Sequence, residues 1–524
     1  MPRHREPWRA ERWRVSRGAP KDALRVALYY PGNYSSSITN LFTHEAYYYL
    51  KLRSQALVDR FTSESGIMGI ETGLRIRDFD IVLASITYEL DVLELIRYLG
   101  RAGIPITTKA RKEMHPLVLV GGPVPTANPS PLTPFADAVH VGEGEPVLER
   151  LAEAAQDLRH GVGRDELLAY IAGEGTFVGG GSAKRVYWGD INDEEFIPPA
   201  MIRSDTAEPV YGRGYYIEAT RGCPHLCGFC MEARVSWPFR VRDHRLVVER
   251  AVEGAELMGE RRAVIYSLSF FDHPRAREIL DRLHEEGLQY SLPSIRYDTL
   301  RPDDVELIAR GGQRTLTLAP ETGSREVGCL IRKCLDEGRL EQLAEAAGEL
   351  GMKVKLYFIF GLPGEGEDAP ERAAEIARRV AKAVGRPVRA TINPLVPKPN
   401  TPTQYVPLID REEFLEHIER FRRAASPYAR PDYFDWGWAH AQAVIALADA
   451  GAKDFLIEWA ARGISPSAMR RAARITGYDI SIPLRCRDPG AEWGWGSVDM
   501  GYPPQLASAE EAYARRMYER ACGL

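Results

Sequence analysis

Three cysteines fall within eight residues of this chain, in Arg221-Gly222-Cys223-Pro224-His225-Leu226-Cys227-Gly228-Phe229-Cys230, directly after the apolar, strand-like run 215–219. The spacing is CxxxCxxC. Thiolates three residues apart can bite one metal centre, and the wider first gap lets the loop wrap around something larger than a single ion. A closed zinc site would need a fourth ligand; His225 lies inside the loop, while the other cysteines are about a hundred residues or more away. A redox pair made of Cys227-Gly228-Phe229-Cys230 would leave Cys223 without a task. An iron–sulfur cluster uses all three and keeps its fourth iron open for chemistry.

Seven cysteines in 524 residues, an odd number with three in one loop, do not form a disulfide framework, so a reducing, cytoplasmic setting is expected. Of the remaining four, Cys329 and Cys334, five residues apart on a helical pattern, read as ordinary buried residues in preference to a second cluster, and Cys486 and Cys522 as incidental and not catalytic. A net charge of −5 gives no case for non-specific nucleic-acid binding. The arginine-rich start, 1–22, is interrupted by Glu6 and Glu11 and followed by no apolar core, so it reads as a solvated arm and not a secretory signal. The stretch 439–452 is broken by His440, Gln442 and Asp449, and no membrane span is expected.

Apolar runs at 25–30, 81–85, 117–120 and 138–141 alternate with helical patterns such as 92–102 and the stretch from Pro146 onward. Buried strands alternating with helices predict a doubly wound parallel sheet over 23–173. Ligands of such sheets bind at the carboxyl ends of strands, which places Ser85, Thr87, Gly121 and Gly122 among the candidates; the competing account is that the glycines only make strand-to-helix turns. Glycine- and proline-rich composition marks 174–213 as a linker. Six further runs, at 215–219, 263–267, 290–293, 315–318, 354–360 and 390–393, alternate with helical patterns and predict a partly closed parallel β/α barrel over 214–408. A mostly helical region, 409–524, follows. Its tryptophans, Trp436, Trp438, Trp459, Trp493 and Trp495, are expected mainly to close the barrel.

The cysteine loop after the first strand of such a succession, with Phe229 inside it, resembles the radical S-adenosylmethionine superfamily. The resemblance implies a partial (β/α)6 barrel in which Cys223, Cys227 and Cys230 hold a [4Fe-4S] cluster. It further implies that the open iron binds S-adenosylmethionine, and that an electron donor such as flavodoxin or ferredoxin supports its cleavage to a 5′-deoxyadenosyl radical. The later strand ends, Ser291-Leu292-Pro293-Ser294-Ile295-Arg296, Leu318-Ala319-Pro320-Glu321-Thr322-Gly323-Ser324, Phe360-Gly361-Leu362-Pro363-Gly364-Glu365 and Asn393-Pro394-Leu395-Val396, are similar to one subgroup with an N-terminal cobalamin-type domain. By that resemblance Phe229, Ser267, Ser294, Arg296, Glu321, Gly361 and Val396 contact S-adenosylmethionine. A rim ion pair between Arg296 and Glu321 is the competing account. Gly121-Gly122-Pro123 with Gly142-Glu143-Gly144-Glu145 resembles the cobalamin-binding domain itself.

The chain departs from the family in three places. No DxHxxG histidine follows Tyr30, where the sequence reads Pro31-Gly32-Asn33-Tyr34-Ser35, so cobalamin would be bound without it or not at all. Ser267-Leu268-Ser269 replaces the usual Gly-Gly-Glu, and Gly328 and Arg332 stand where an arginine and an asparagine are expected. Three readings stay open: a cobalamin-dependent methyltransferase acting on an unactivated carbon, a cobalamin-independent radical enzyme whose first domain binds substrate, and a non-catalytic metal-binding scaffold. An RNA methylthiotransferase is disfavoured because no cysteine precedes Cys223. The substrate is not legible in the sequence.

Overall fold

The computed structural model describes residues 6–178 and 181–523. The first five residues of the arm and Gly179-Gly180 of the linker lie outside the described residues. The first sheet contains β1 (Arg25–Tyr30), β2 (Leu57–Thr62), β3 (Ile81–Ser85), β4 (Leu117–Gly121), β5 (Ala138–His140) and β6 (Thr176–Val178), in the spatial order β2-β1-β3-β4-β5-β6. All neighbours are parallel except β6, which runs antiparallel to β5. Alternate residues of β1 enter two different apolar clusters, Val26 and Leu28 on one face, Ala27 and Tyr29 on the other, so both faces are covered. The chain reverses its direction of winding between β1 and β3, and the crevice for a ligand opens at their carboxyl ends.

The sequence pattern hides β2 because Asp59 and Arg60 interrupt its apolar run, yet both are buried. Asp59 accepts the backbone N–H groups of Glu71 (2.9 Å) and Thr72 (2.8 Å) and so closes the loop after β2. Arg60 donates to Glu11 through both terminal nitrogens (3.0 and 2.6 Å) and reaches Glu71 at 3.2 Å. Glu11 also accepts the Tyr34 hydroxyl at 2.6 Å, and Glu11–Arg12 pairs antiparallel with Arg203–Ser204. The arm, expected to be solvated, is therefore docked from Glu11 onward by a buried ion pair.

The second set of strands forms two parallel groups: β7 (Tyr215–Glu218), β8 (Arg262–Tyr266) and β9 (Gln289–Ser291), then β10 (Thr315–Glu321), β11 (Lys353–Phe360), β12 (Val388–Pro394) and β13 (Ala429–Tyr433). The six expected strands are present. The seventh, β13, lies in the region read as helical and extends the group on the far side of β12. Along β10 to β12 fully buried residues alternate with partly exposed ones, so one side chain in two packs under the covering helices and the next faces the lumen. One contiguous apolar cluster runs from β1 and the helix Leu41–Arg53 through Ile197 and Ile202 to β7–β12, which joins the two halves without a polar break.

Segment 174–213, read as a linker, also supplies β6 and the partner of Glu11–Arg12. Two further expectations are corrected. Trp459 packs on the first sheet, in the cluster of Val92, Leu95 and Leu99 from helix Asp91–Ala102, and its indole N–H donates to Ser465 O at 3.1 Å. Cys329–Cys334 and Cys486–Cys522 are disulfide-bonded, with Cα atoms 4.0 and 6.1 Å apart; Cys329 and Cys334 are exposed, not buried. No helix among the described residues is long and apolar enough to cross a membrane.

Removing one member of a buried ion pair strands its partner. Arg60→Met should lower stability by about 3 kcal/mol, because among the described residues Glu11 is left with Arg14 and the Tyr34 hydroxyl, and Glu71 with Lys51. Chemical denaturation of the full chain checks this, and a change below about 1 kcal/mol, the level of an exposed pair, would mean that the arm is held by something else.

Candidate active site

The cysteine loop is fixed from beneath. Thr220–Arg221 pairs antiparallel with Arg240–Val241, which closes the segment between them. Gly222 has φ +79°, and a Cβ there would lie 2.7 Å from the carbonyls of Ser236 and Pro238. Leu226 takes the left-handed conformation (φ +46°), a strained choice for a branched side chain. Arg234, 1% exposed, holds that conformation by donating to Cys227 O (2.7 Å), Cys230 O (3.0 Å) and Leu226 O (3.2 Å). Its charge is met by Glu510 on the distant helix Pro504–Cys522, with Nε at 3.1 Å and Nη2 at 2.5 Å from one carboxylate oxygen. Arg332 binds the other oxygen. With its carbonyls spoken for, the loop turns Cys223, Cys227 and Cys230 into one cavity, all three unbonded to other cysteines.

The donor set suits a cluster. Among the described residues no three His, Cys, Asp or Glu side chains converge on a single-ion position. His225, the one nearby candidate for a fourth zinc ligand, is committed to Asp272 at 2.7 Å. Burial pushes the Cys223 thiol up and the Cys230 thiol up to about 12, so a cationic centre is what would hold them as thiolates. Arg296 donates to Cys227 Sγ at 2.9 Å.

The cavity above the cysteines, about 760 Å³, is also lined by Phe229, Ser294, Arg296 and Glu321. Arg296 and Glu321 do not pair with each other: Arg296 holds Asp298 (2.7 Å), and Glu321 holds Lys333 (2.6 Å). Three expected contacts lie outside this lining. The Ser267 hydroxyl is bonded to Thr220, the Gly361 N–H donates to the buried Glu365 carboxylate (2.8 Å), and Val396 sits beyond the end of β12. Gly328 is required by the backbone, since a Cβ would lie 2.7 Å from Lys333 O. Sequence reading missed Thr315, Thr317 and Ala319, which with Glu321 line the cavity at every second position of β10; the period of two was the available signal.

A second cavity, about 350 Å³, opens at the carboxyl ends of the first sheet. Ser85, Thr87, Gly121, Gly122, Gly142 and Glu143 all line it. Their roles differ. A Cβ at Gly122 would lie 2.6 Å from Ile86 O and one at Gly142 2.1 Å from Val186 O, so these glycines serve the chain's own packing. At Gly121 the nearest atom, His140 Cβ, would lie at an ordinary contact distance of 3.7 Å, so packing does not demand a glycine there. Thr87 is held by Asp91, whose carboxyl burial pushes up to about 7. Glu143 is not free for a ligand: it binds Arg221 (2.9 Å), Arg240 and the Trp188 N–H (2.8 Å). His140, the one histidine in this lining, is bound to Glu143 O at 2.6 Å and kept neutral by burial. The cavity therefore offers hydroxyls, one glycine that packing does not demand and apolar wall, and no free imidazole.

Residues 217–377 match the model of the radical SAM superfamily, and residues 45–178 match that of the N-terminal region of radical SAM proteins. Together the two matches cover more than half of the chain, which belongs to the radical SAM superfamily and is an enzyme. An uncharacterized protein of Methanocaldococcus jannaschii is 25% identical over 82% of this chain and 90% of its own length. The anaerobic magnesium-protoporphyrin IX monomethyl ester cyclase of Rubrivivax gelatinosus is 24% identical over 47% of this chain, which spans 45% of that relative. Cytidylyl-2-hydroxyethylphosphonate methyltransferase of Streptomyces wedmorensis is 28% identical over 36% of each. The fold is shared with the radical S-adenosylmethionine methyltransferase TsrM of Kitasatospora setae, solved with cobalamin and a [4Fe-4S] cluster bound: TM-score 0.52, 13% identity, 86% of this chain and 100% of the other. Membership of the superfamily brings with it a [4Fe-4S] cluster and S-adenosylmethionine.

Glu510→Gln should leave the guanidinium of Arg234 buried without its counter-charge, at a cost of about 3 kcal/mol to the loop. The anaerobically reconstituted variant is expected to lose iron on gel filtration while its far-ultraviolet circular dichroism stays unchanged, and Glu510→Asp should recover part of the iron. Full iron retention in Glu510→Gln would show that the loop keeps its shape without the helix.

Proposed function

We propose that this chain is a cobalamin-dependent radical S-adenosylmethionine methyltransferase acting on an unactivated carbon. The observation that carries the reading is the meeting of two cavities, one at the cysteine loop and one at the switch point of a doubly wound sheet, with Glu232 in the lining of both. When bound, the cluster with S-adenosylmethionine supplies a hydrogen-abstracting radical, and cobalamin supplies a transferable methyl group.

The chain's own residues divide the remaining work. Cys223, Cys227 and Cys230 would hold three irons, with Arg296 hydrogen-bonded to the Cys227 sulfur to lower its negative charge. Ser294 is steered by its bond to Leu268 O (3.1 Å) and lines the same cavity, suited to a ribose hydroxyl. The Glu321–Lys333 pair presents one acceptor and one donor group on the wall, near Arg296 in the lining, for the polar end of S-adenosylmethionine. On the other side Ser85 and Gly121 leave room at the sheet's carboxyl edge, and the buried Tyr29 and Phe61 give an apolar wall that excludes water from a corrin face. Because His140 is committed, cobalamin in this cavity would carry no protein imidazole on its metal.

The cobalamin-independent reading draws on one observation: several polar groups around the sheet-edge cavity, Glu143 and Thr87 among them, are already bonded within the protein. Anaerobic reconstitution with hydroxocobalamin separates the two. Stoichiometric corrinoid is expected, with a cob(II)alamin paramagnetic-resonance signal that lacks nitrogen splitting from a protein histidine. A full cluster without corrinoid favours the cobalamin-independent enzyme. Cys227→Ala is expected to abolish formation of 5′-deoxyadenosine, and cleavage that persisted in this variant would sink the cluster assignment.

A further inference from the structure

Glu232 is the one residue, among those described, that lines both cavities. It follows Cys230 by two positions and opens the short helix Glu232–Val235. Ala233, Arg234 and Val235 are buried in packing, whereas the Glu232 side chain, deep within the molecule, is exposed to cavity space. Among the described residues no donor reaches its carboxylate. The nearest cation, Lys398, is paired with Glu89, whose second oxygen accepts Gln442 Nε2 at 2.9 Å. The junction thus carries two carboxylates against one ammonium. A second contact joins the two linings: Tyr266 of the sheet-edge cavity and Tyr211 of the cysteine cavity pack edge to face with ring centroids 5.9 Å apart.

We infer that Glu232 anchors the substrate where the two cavities meet, and that the group it receives is a cationic nitrogen, an ammonium or guanidinium. The inference rests on the proposed function, because a substrate reached from both cofactors must lie between them. A carboxylate held inside the protein without a counter-charge is costly, and a ligand that supplies the charge recovers that cost in a charge-assisted bond. A neutral hydroxyl recovers less of it. An anion is repelled by Glu232 and Glu89 together. The substrate class so defined is an amine or amidine-type compound, free or as part of a larger molecule, whose reacting carbon lies near its cationic nitrogen.

Benzylammonium, benzyl alcohol and benzoate share a shape and differ in charge, and they serve as probes on the reconstituted, S-adenosylmethionine-saturated holoenzyme, with binding read by calorimetry. Benzylammonium is expected to bind saturably in the millimolar range or tighter, benzyl alcohol roughly ten- to a hundredfold more weakly, and benzoate not at all. In Glu232→Gln the preference for the cation should vanish, and in Glu232→Asp it should persist at reduced affinity. Equal binding of the three probes, a cation preference that survives in Glu232→Gln, or no saturable benzylammonium binding by the wild type would each overturn the inference. The wild-type comparison stands even if a variant fails to fold. Failure of the cofactor reading shows separately, as missing cluster absorbance or missing corrinoid in the same preparation.

Discussion

The guanidinium of Arg221 ties together everything that has to be close in this molecule. It stands two residues before Cys223 and binds Glu218 at the end of β7 (2.8 Å), together with Glu143 (2.9 Å) and Glu145 (2.5 Å) from the loop after β5. One side chain thus links the first strand of the barrel, the root of the cysteine loop and the carboxyl edge of the first sheet. Arg240 and Arg242 share the same carboxylates, so the cluster of charge is matched on the protein side. Burying so many charges contributes little net stability, because desolvation offsets most of the Coulombic gain. What the arrangement supplies is register: a rotation of one sheet against the other would leave several buried charges unmatched at once.

The same logic explains why the two cavities meet where they do. The carboxyl ends of a doubly wound sheet and those of a β/α barrel are each the natural place for a ligand. Here the two ends face each other, and the apolar cluster that runs between the halves keeps them from drifting apart. A small molecule between them would be reached from both sides with little solvent present. The C-terminal region adds to this closure by packing on both partners, with Trp459 against the first sheet and Trp436 donating to Ile409 O (2.8 Å) near the barrel.

Much of this was legible in the sequence, and what was not has identifiable causes. The strands visible in the sequence are those with a compact apolar run, whether both faces are buried, as in Arg25–Tyr30, or buried and lumen-facing residues alternate, as from Leu356 to Phe360 in Lys353–Phe360. Leu57–Thr62 was hidden because Asp59 and Arg60 do structural work inside it, and Ala429–Tyr433 because Pro431 and mostly partly or fully exposed residues suit an edge strand. Cys223, Cys227 and Cys230 carry their chemistry in their spacing. Residues whose role comes from distant partners carry no such mark: Glu510 supports a loop 276 positions away, and nothing around it in sequence says so. The glycines at 122 and 142 gave a signal that was real but pointed to backbone packing and not to a ligand.

The dependence of the cysteine loop on helix Pro504–Cys522 bears on the order in which the molecule can be made. A chain emerging from the ribosome exposes the three cysteines long before Glu510 exists. Until that carboxylate arrives, Arg234 has no counter-ion and the left-handed turn at Leu226 has nothing to hold it in place. Metal delivered to the nascent loop would meet a flexible set of thiols, not the finished cradle. Shaping of the site for its metal is thereby coupled to the docking of helix Pro504–Cys522.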